Sequence, residues 1–211
     1  MSRLIYLLFF PAVLSAQLIS FGVKGGVPAS DAFETARTAN LSYLSDTKRY
    51  LVGGSAELRL AFGLGVEFDA LYRRLNYETT AGAGGFCPTC GPFTASTRAN
   101  SWEFPLLLKL RGTSPAVRPF VVGGPSFRAL SDVRQFITDP LGNRETDHPA
   151  ELSNRASTGL TVGAGLELGG RFRIVPEVRY TRWGWENFQS PALPQFRNNQ
   201  NQVDVLVGIS F

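Results

Sequence analysis

The sequence is short of the residues on which most soluble chemistry depends. It has one His and two Cys in 211 residues, too few for a four-ligand structural zinc site built from those residues alone. Charged residues make up only 18%, which is too apolar a balance for a disordered chain, and Ala, Glu, Lys and Leu are too sparse for a helical bundle. No tract of one charge sign occurs. The 21 basic and 17 acidic residues give +4 spread along the chain, so nucleic-acid binding finds no support. Beyond residue 16 no run approaches the eighteen or so apolar residues of a transmembrane helix. The length excludes a large multidomain enzyme.

What is present is Gly (22) and Phe (16), a composition that suits strands and turns. Residues 1–16 read as an export signal: Arg3 is a basic start, Leu4 to Leu14 is almost wholly apolar, and Ser15-Ala16 precedes Gln17 as a cleavage point, with cleavage after Ser15 as the alternative. Residues 17–211 would then form one β-barrel domain.

Period-two alternation runs through eight segments near 18–27, 49–59, 64–77, 100–111, 117–130, 157–168, 171–181 and 201–211. Each has about the length that crosses a bilayer as a tilted strand. The gaps between them are alternately long (28–48, 78–99, 131–156, 182–200) and short (60–63, 112–116, 169–170). That rhythm predicts an all-β fold, a closed eight-stranded antiparallel up-and-down transmembrane β-barrel with its long loops on one side.

On seven of the segments one parity is free of charge, as in Trp102, Phe104, Leu106, Leu108 and Leu110 or Val203, Val205, Val207, Ile209 and Phe211. The other parity carries Lys24, Glu57, Arg59, Glu67, Asp69, Arg73, Glu103, Lys109, Arg111, Glu167, Arg173, Glu177, Arg179 and Asp204, seven basic against seven acidic. So many bulky apolar groups would overpack an eight-stranded interior, so they belong outside, against lipid. The charges then belong in the lumen, among small residues such as Gly53, Ser55, Gly163 and Gly165. In segment 117–130, Arg118 and Arg128 share a parity with Phe120 and Val122, which leaves its register open. Two aromatic belts are expected, Tyr50, Tyr72, Tyr77, Trp102, Tyr180 and Trp183 near the long loops and Phe21, Phe62, Phe172 and Phe211 near the short turns. Pro105 and Pro176 each lack a ladder donor, and a bulge or an unpaired carbonyl is expected beside them.

Trp102-Glu103-Phe104-Pro105-Leu106-Leu107-Leu108-Lys109-Leu110, the run Arg118 to Ser126, Pro176-Glu177-Val178-Arg179-Tyr180 and the closing Gln202 to Phe211 resemble the bacterial outer membrane protein beta-barrel domain family of OmpA/OmpX-like, porin-family proteins. The resemblance implies a place in the bacterial outer membrane, with outer-membrane lipid and the barrel assembly machinery as partners and Phe211 as the assembly signal. It implies no particular activity.

The chemistry-bearing candidates are few. Cys87-Pro88-Thr89-Cys90 reads as a local disulfide in an exported protein. A redox pair would want a helix start, and a zinc site two more ligands. His148 beside Asp147 and Glu151, with Ser153 near, has no nucleophile elbow or oxyanion signature, so no catalytic and no metal site is assigned and no cofactor is expected. Trp183, Trp185, Phe188 and Phe196 with Asn198, Asn199 and Asn201 form either loop packing or an exposed surface for an extracellular ligand. The expected role is structural or surface-interacting, adhesin-like and not enzymatic. A narrow porin-like channel is the alternative, and a soluble calyx ranks behind an enzyme.

Overall fold

The computed structural model describes residues 19–34, 36–82, 91–114, 117–139, 142–170, 172–190 and 195–211. The export segment 1–16 and Cys87 with Cys90 lie outside the described residues.

Eight antiparallel strands close into a barrel: β1 (Ile19–Pro28), β2 (Leu51–Arg59), β3 (Leu64–Ala81), β4 (Phe93–Arg111), β5 (Val117–Asp139), β6 (Ala156–Gly169), β7 (Arg173–Trp183) and β8 (Asn201–Ser210). Each pairs with its sequence neighbour, and β1 pairs with β8 through Val23↔Ile209 and Val27↔Val205. Phe211 and Phe21 exchange backbone hydrogen bonds of 3.0 and 3.2 Å at that seam. Closure leaves no strand edge open to hydrocarbon, which lipid requires because it offers no hydrogen bonds. No helix among the described residues is long and apolar enough to cross a membrane.

The turn from β2 to β3 is a single 3-10 turn, Ala61–Gly63, in which Phe62 (φ 61°) and Gly63 (φ 78°) are both left-handed. A side chain on Gly63 would meet the Arg111 carbonyl at 2.6 Å. Phe62 accepts the strain of that conformation and stands 95% exposed at the tip.

The uncharged parity faces outward on every segment for which it was expected, with Phe21, Val23, Leu108, Leu160 and Ile174 all exposed on the isolated chain. β5 resolves the open register: Phe120, Val122, Ser126 and Arg128 turn inward and Val117, Val121 and Phe127 outward. Neither Pro105 nor Pro176 makes a bulge. The β3–β4 ladder passes from Phe68↔Leu106 to Leu71↔Glu103, and the β6–β7 ladder from Leu168↔Ile174 to Gly165↔Glu177, skipping rungs without changing register. The bulge lies instead between Arg98/Asn100 of β4 and Ser131/Arg134 of β5. There Asp132 takes φ 49°, and the extra residue exchanges the two faces of β5.

Three strands outrun the sequence expectation, β3 to 81, β4 from 93 and β5 to 139. Their upper parts invert the pattern. Above Tyr72 the outward positions of β3 become Arg74, Asn76, Glu78 and Thr80, while the inward ones become Leu75, Tyr77 and Ala81. Past the membrane boundary water replaces lipid outside, and a packed core replaces the charged lumen inside. The short strands Leu41–Ser45 and Gly142–Thr146 add to this upper sheet on β3 and β5, and Ala36–Arg37 pairs Leu41–Ser45.

Candidate functional site

The lumen is a stack of ion layers under an apolar cap. At the short-turn end the Lys109 ammonium lies 2.9 Å from Glu167, 3.1 Å from Glu67 and 3.3 Å from Glu57. Arg111 meets Glu57 and, at 3.3 Å, Glu167, and Arg59 lies 3.4 Å from Glu57. In the middle layer Lys24 is 2.5 Å from Glu67, 3.2 Å from Glu177 and 3.3 Å from Asp69, and Arg179 reaches the same three carboxylates at 2.6 Å each. Two cations thus hold three carboxylates, an arrangement in which deleting either cation strands buried negative charge.

The upper layer contains residues that sequence reasoning did not assign. Arg73 and Arg128 each lie 3.0 Å from Glu103. Gln202 accepts hydrogen bonds from Arg73 (2.7 Å), from Arg128 and from the Trp183 indole (2.9 Å), and its own amide donates to Glu103 (3.1 Å) and Asp204 (2.6 Å). The signal for Arg128 was available: the odd positions of 117–129 carry no charge, so Arg128 had to face inward. The same signal was present for Gln202, on the parity of Asp204, and for Trp183, on the parity of Arg179.

Arg173 is half of no ion pair among the described residues. It is buried near the turn from β6 to β7 and donates from Nε to the Gly170 carbonyl at 3.1 Å. The lumen is also less uniformly polar than its sequence parity suggests. Leu107, Phe120, Val122 and Val175 form one buried cluster, and Leu51, Leu71 and Leu206 another. The Lys109 ammonium sits 4.0 Å above the Phe120 ring, and Phe120 occupies the space left by Gly165, where a Cβ would lie 2.5 Å from the ring.

Over this stack the long loops fold into a shared core. Phe33, Leu41, Tyr43, Leu75, Tyr77, Leu130, Val133, Phe188 and Phe196 are its larger members. The rings of Tyr43 and Phe196 stack at 4.2 Å, and Phe33 and Tyr77 pack on Phe196 at 5.6 and 4.8 Å. Of the two readings of the fourth long loop, Phe188 and Phe196 take the loop-packing one, buried at 1% and 0% exposure, and Asn198 is buried with them, its carboxamide oxygen accepting the Phe188 N–H at 2.6 Å. Trp185 alone of those aromatics remains exposed. Tyr77 and Trp183 likewise leave the expected belt for the interior. The upper belt consists of Tyr50, Tyr72, Trp102 and Tyr180, and the lower one keeps all four Phe residues on the outside.

Glu151 from the third long loop is buried in the cap. It accepts hydrogen bonds from Tyr43 (3.2 Å), Tyr77 (3.5 Å) and Gln135 (3.3 Å), and Tyr43 shares a 2.9 Å bond with Ser190 of the fourth loop. Burial pushes the Tyr43 phenol above its ordinary value, and the Glu151 charge beside it acts in the same direction. On the surface, Glu34 accepts from Arg197 at 2.8 Å and holds that guanidinium above its ordinary value. His148 is solvent-exposed with its imidazole 3.9 Å from Asp147, while Glu151 points away into the core, so the loop residues that could have formed a hydrolytic group are not brought together. Among the described residues no cluster of His, Cys, Asp and Glu is arranged to hold a metal.

An apolar outer wall, aromatic belts at both ends, sealed strand edges and an ion-filled lumen define a transmembrane barrel of the outer-membrane type. The profile of the family described as "Outer membrane protein beta-barrel domain" matches residues 15–184, and the protein belongs to that family. Its place is accordingly the bacterial outer membrane. No curated protein matches the sequence. Similar solved structures include the outer membrane protein OprG of Pseudomonas aeruginosa (17% identity, TM-score 0.49, 92% of this chain and 94% of that one). They also include Neisserial surface protein A (11%, 0.41, 91% and 95%) and the attachment invasion locus protein Ail of Yersinia pestis (10%, 0.37, 91% and 98%).

Proposed function

We propose that this protein is a closed barrel that acts through the surface of its cap, in a structural or adhesive role, and not by passing solutes or by catalysis. The observation that carries the proposal is the apolar cap core. Three described stretches between barrel strands contribute to it or bond to it, through Phe33 and Tyr43, through Glu151 and Leu152, and through Phe188 and Phe196, so these loops form one platform facing outward from the cell. Beneath it, most lumen charges of the described residues are paired with one another, an arrangement that suits a filled eight-stranded barrel. Separation of His148 from Glu151 speaks against hydrolysis. Export through residues 1–16 and recognition of Phe211 by the assembly machinery belong to the same proposal.

Single-channel recording in planar bilayers is the test. Reconstituted protein is expected to show no stable conductance steps, and steady ion-permeable openings would replace this reading with the narrow-channel one. Replacing the loops one at a time by short turns should then leave a heat-modifiable barrel while removing attachment to the protein's extracellular partner.

A further inference from the structure

The lipid-facing wall is not the same all round. On β3 and β4, and at Tyr50 just before β2, the outward rings form a continuous chain: Tyr50 to Tyr72 at 6.4 Å, Tyr72 to Trp102 at 5.2 Å, Trp102 to Phe104 at 6.5 Å and Phe104 to Phe68 at 6.3 Å. Elsewhere the outward rings at that depth are isolated, Phe127 on β5 and Tyr180 on β7, and the rest of the wall is largely aliphatic, as in Leu160, Val162, Val178 and Val205. Directly above these rings stand two exposed arginines. Arg74 is the next outward residue after Tyr72, and its cross-strand partner is Asn100. Arg98 is one outward step further on β4, diagonal to Arg74, with its guanidinium 5.9 Å from the Phe136 ring.

Neither arginine has an ion pair among the described residues. The acids of this face make no ion pair with either: Asp132 accepts from Arg134 at 2.8 Å, Asp46 accepts from Asn76 at 2.7 Å, and Glu78, two outward steps beyond Arg74, is the diagonal neighbour of Arg98 without an ion pair to it among the described residues. Tyr72 donates to Asn100 at 2.9 Å, fixing the belt edge between the rings and the cations.

We infer that this strip is a seat for a phosphorylated lipid of the outer leaflet, with acyl chains against the ring chain and headgroup phosphate on Arg74 and Arg98. Tyr and Trp mark the boundary between hydrocarbon and headgroups, so guanidinium groups one and two outward steps above it stand at phosphate height. Arg presents a planar fork that matches phosphate oxygens. Flat rings give acyl chains a stiff surface with little side-chain entropy to lose. Other exposed arginines beside belt residues are engaged: Arg182 by Tyr180 donates to Asn201 at 2.9 Å, and Arg49 by Tyr50 pairs with Asp31 at 2.6 Å.

The test is native mass spectrometry of the full chain, refolded in detergent and checked for heat-modifiable migration, with diphosphoryl lipid A as the probe. Wild-type protein should retain one lipid, and the double variant Arg74→Gln/Arg98→Gln should bind it about tenfold more weakly, while Arg182→Gln binds as wild type. Dephosphorylated lipid should bind like the double variant, and millimolar inorganic phosphate should not displace the lipid. Full retention by the double variant, equal loss in Arg182→Gln, equal binding of the dephosphorylated lipid, or displacement by free phosphate would each overturn the seat. All these substitutions face outward above the hydrocarbon, so barrel folding serves as the internal control.

Discussion

The Arg128 guanidinium lies 3.9 Å above the Trp183 ring, whose indole N–H is bonded to Gln202. The pair joins the top ion layer to the floor of the cap. Trp183→Phe keeps a ring under the cation but strips the Gln202 bond, and should cost about 1 kcal/mol. Trp183→Ala should cost about 3–5 kcal/mol by removing the buried ring and the cation's seat as well. Urea midpoints read from the boiled-versus-unboiled gel shift would measure both.

Arg179 is the centre of the middle layer, with three carboxylates at 2.6 Å. Arg179→Met should lower stability by about 3–5 kcal/mol, because buried carboxylates lose their partner. Adding Asp69→Asn to that variant should recover part of the loss. A double-mutant cycle in folded vesicle-inserted protein decides it, and strictly additive losses would argue against direct coupling.

Phe120 and Gly165 fill one volume between them. Gly165→Leu should block folding, since even a Cβ there would lie 2.5 Å from both the Phe120 ring and the Pro176 carbonyl. Gly165→Ala should be severely destabilised, and Phe120→Leu should relieve only the ring's share of the clash. Recovery of the unboiled, fast-migrating band is the readout.

The cap should weaken in alkali. Burial holds the Tyr43 phenol above its ordinary value of 10.0. A group raised in this way contributes stability that is complete below its unfolded pKa and is lost as pH climbs toward its folded one. Protease cleavage of the loops should therefore stay slow up to about pH 9 and accelerate near pH 11. In Tyr43→Phe the cap should be weaker at neutral pH by about 1 kcal/mol for the lost hydrogen bonds, with a smaller alkaline change.

Much of this molecule was legible without coordinates. The alternation of uncharged and charged positions, the bulk of Phe104, Leu106 and Leu108 and the long and short gaps together determined strand number, closure and which face meets lipid. The reason is physical: a bilayer imposes a period-two pattern about ten residues long and forbids open edges. The expectation of an upper aromatic belt ran against that same alternation, because Tyr77 shares the inward parity of Arg73 and Trp183 that of Arg179, and β3 runs on past 77 to 81. Above Tyr72 the solvent outside changes from lipid to water, so an inward Tyr77 and an outward Glu78 follow the soluble rule, and nothing local marks where one rule yields to the other. Which charges pair, how Gln202 gathers Arg73, Arg128 and Trp183, and how Phe33, Tyr43 and Tyr77 converge on Phe196 were decided only by the tertiary structure. These contacts link residues up to about 160 positions apart, as from Phe33 to Phe196, and they follow from strand register and barrel curvature, which no single segment contains.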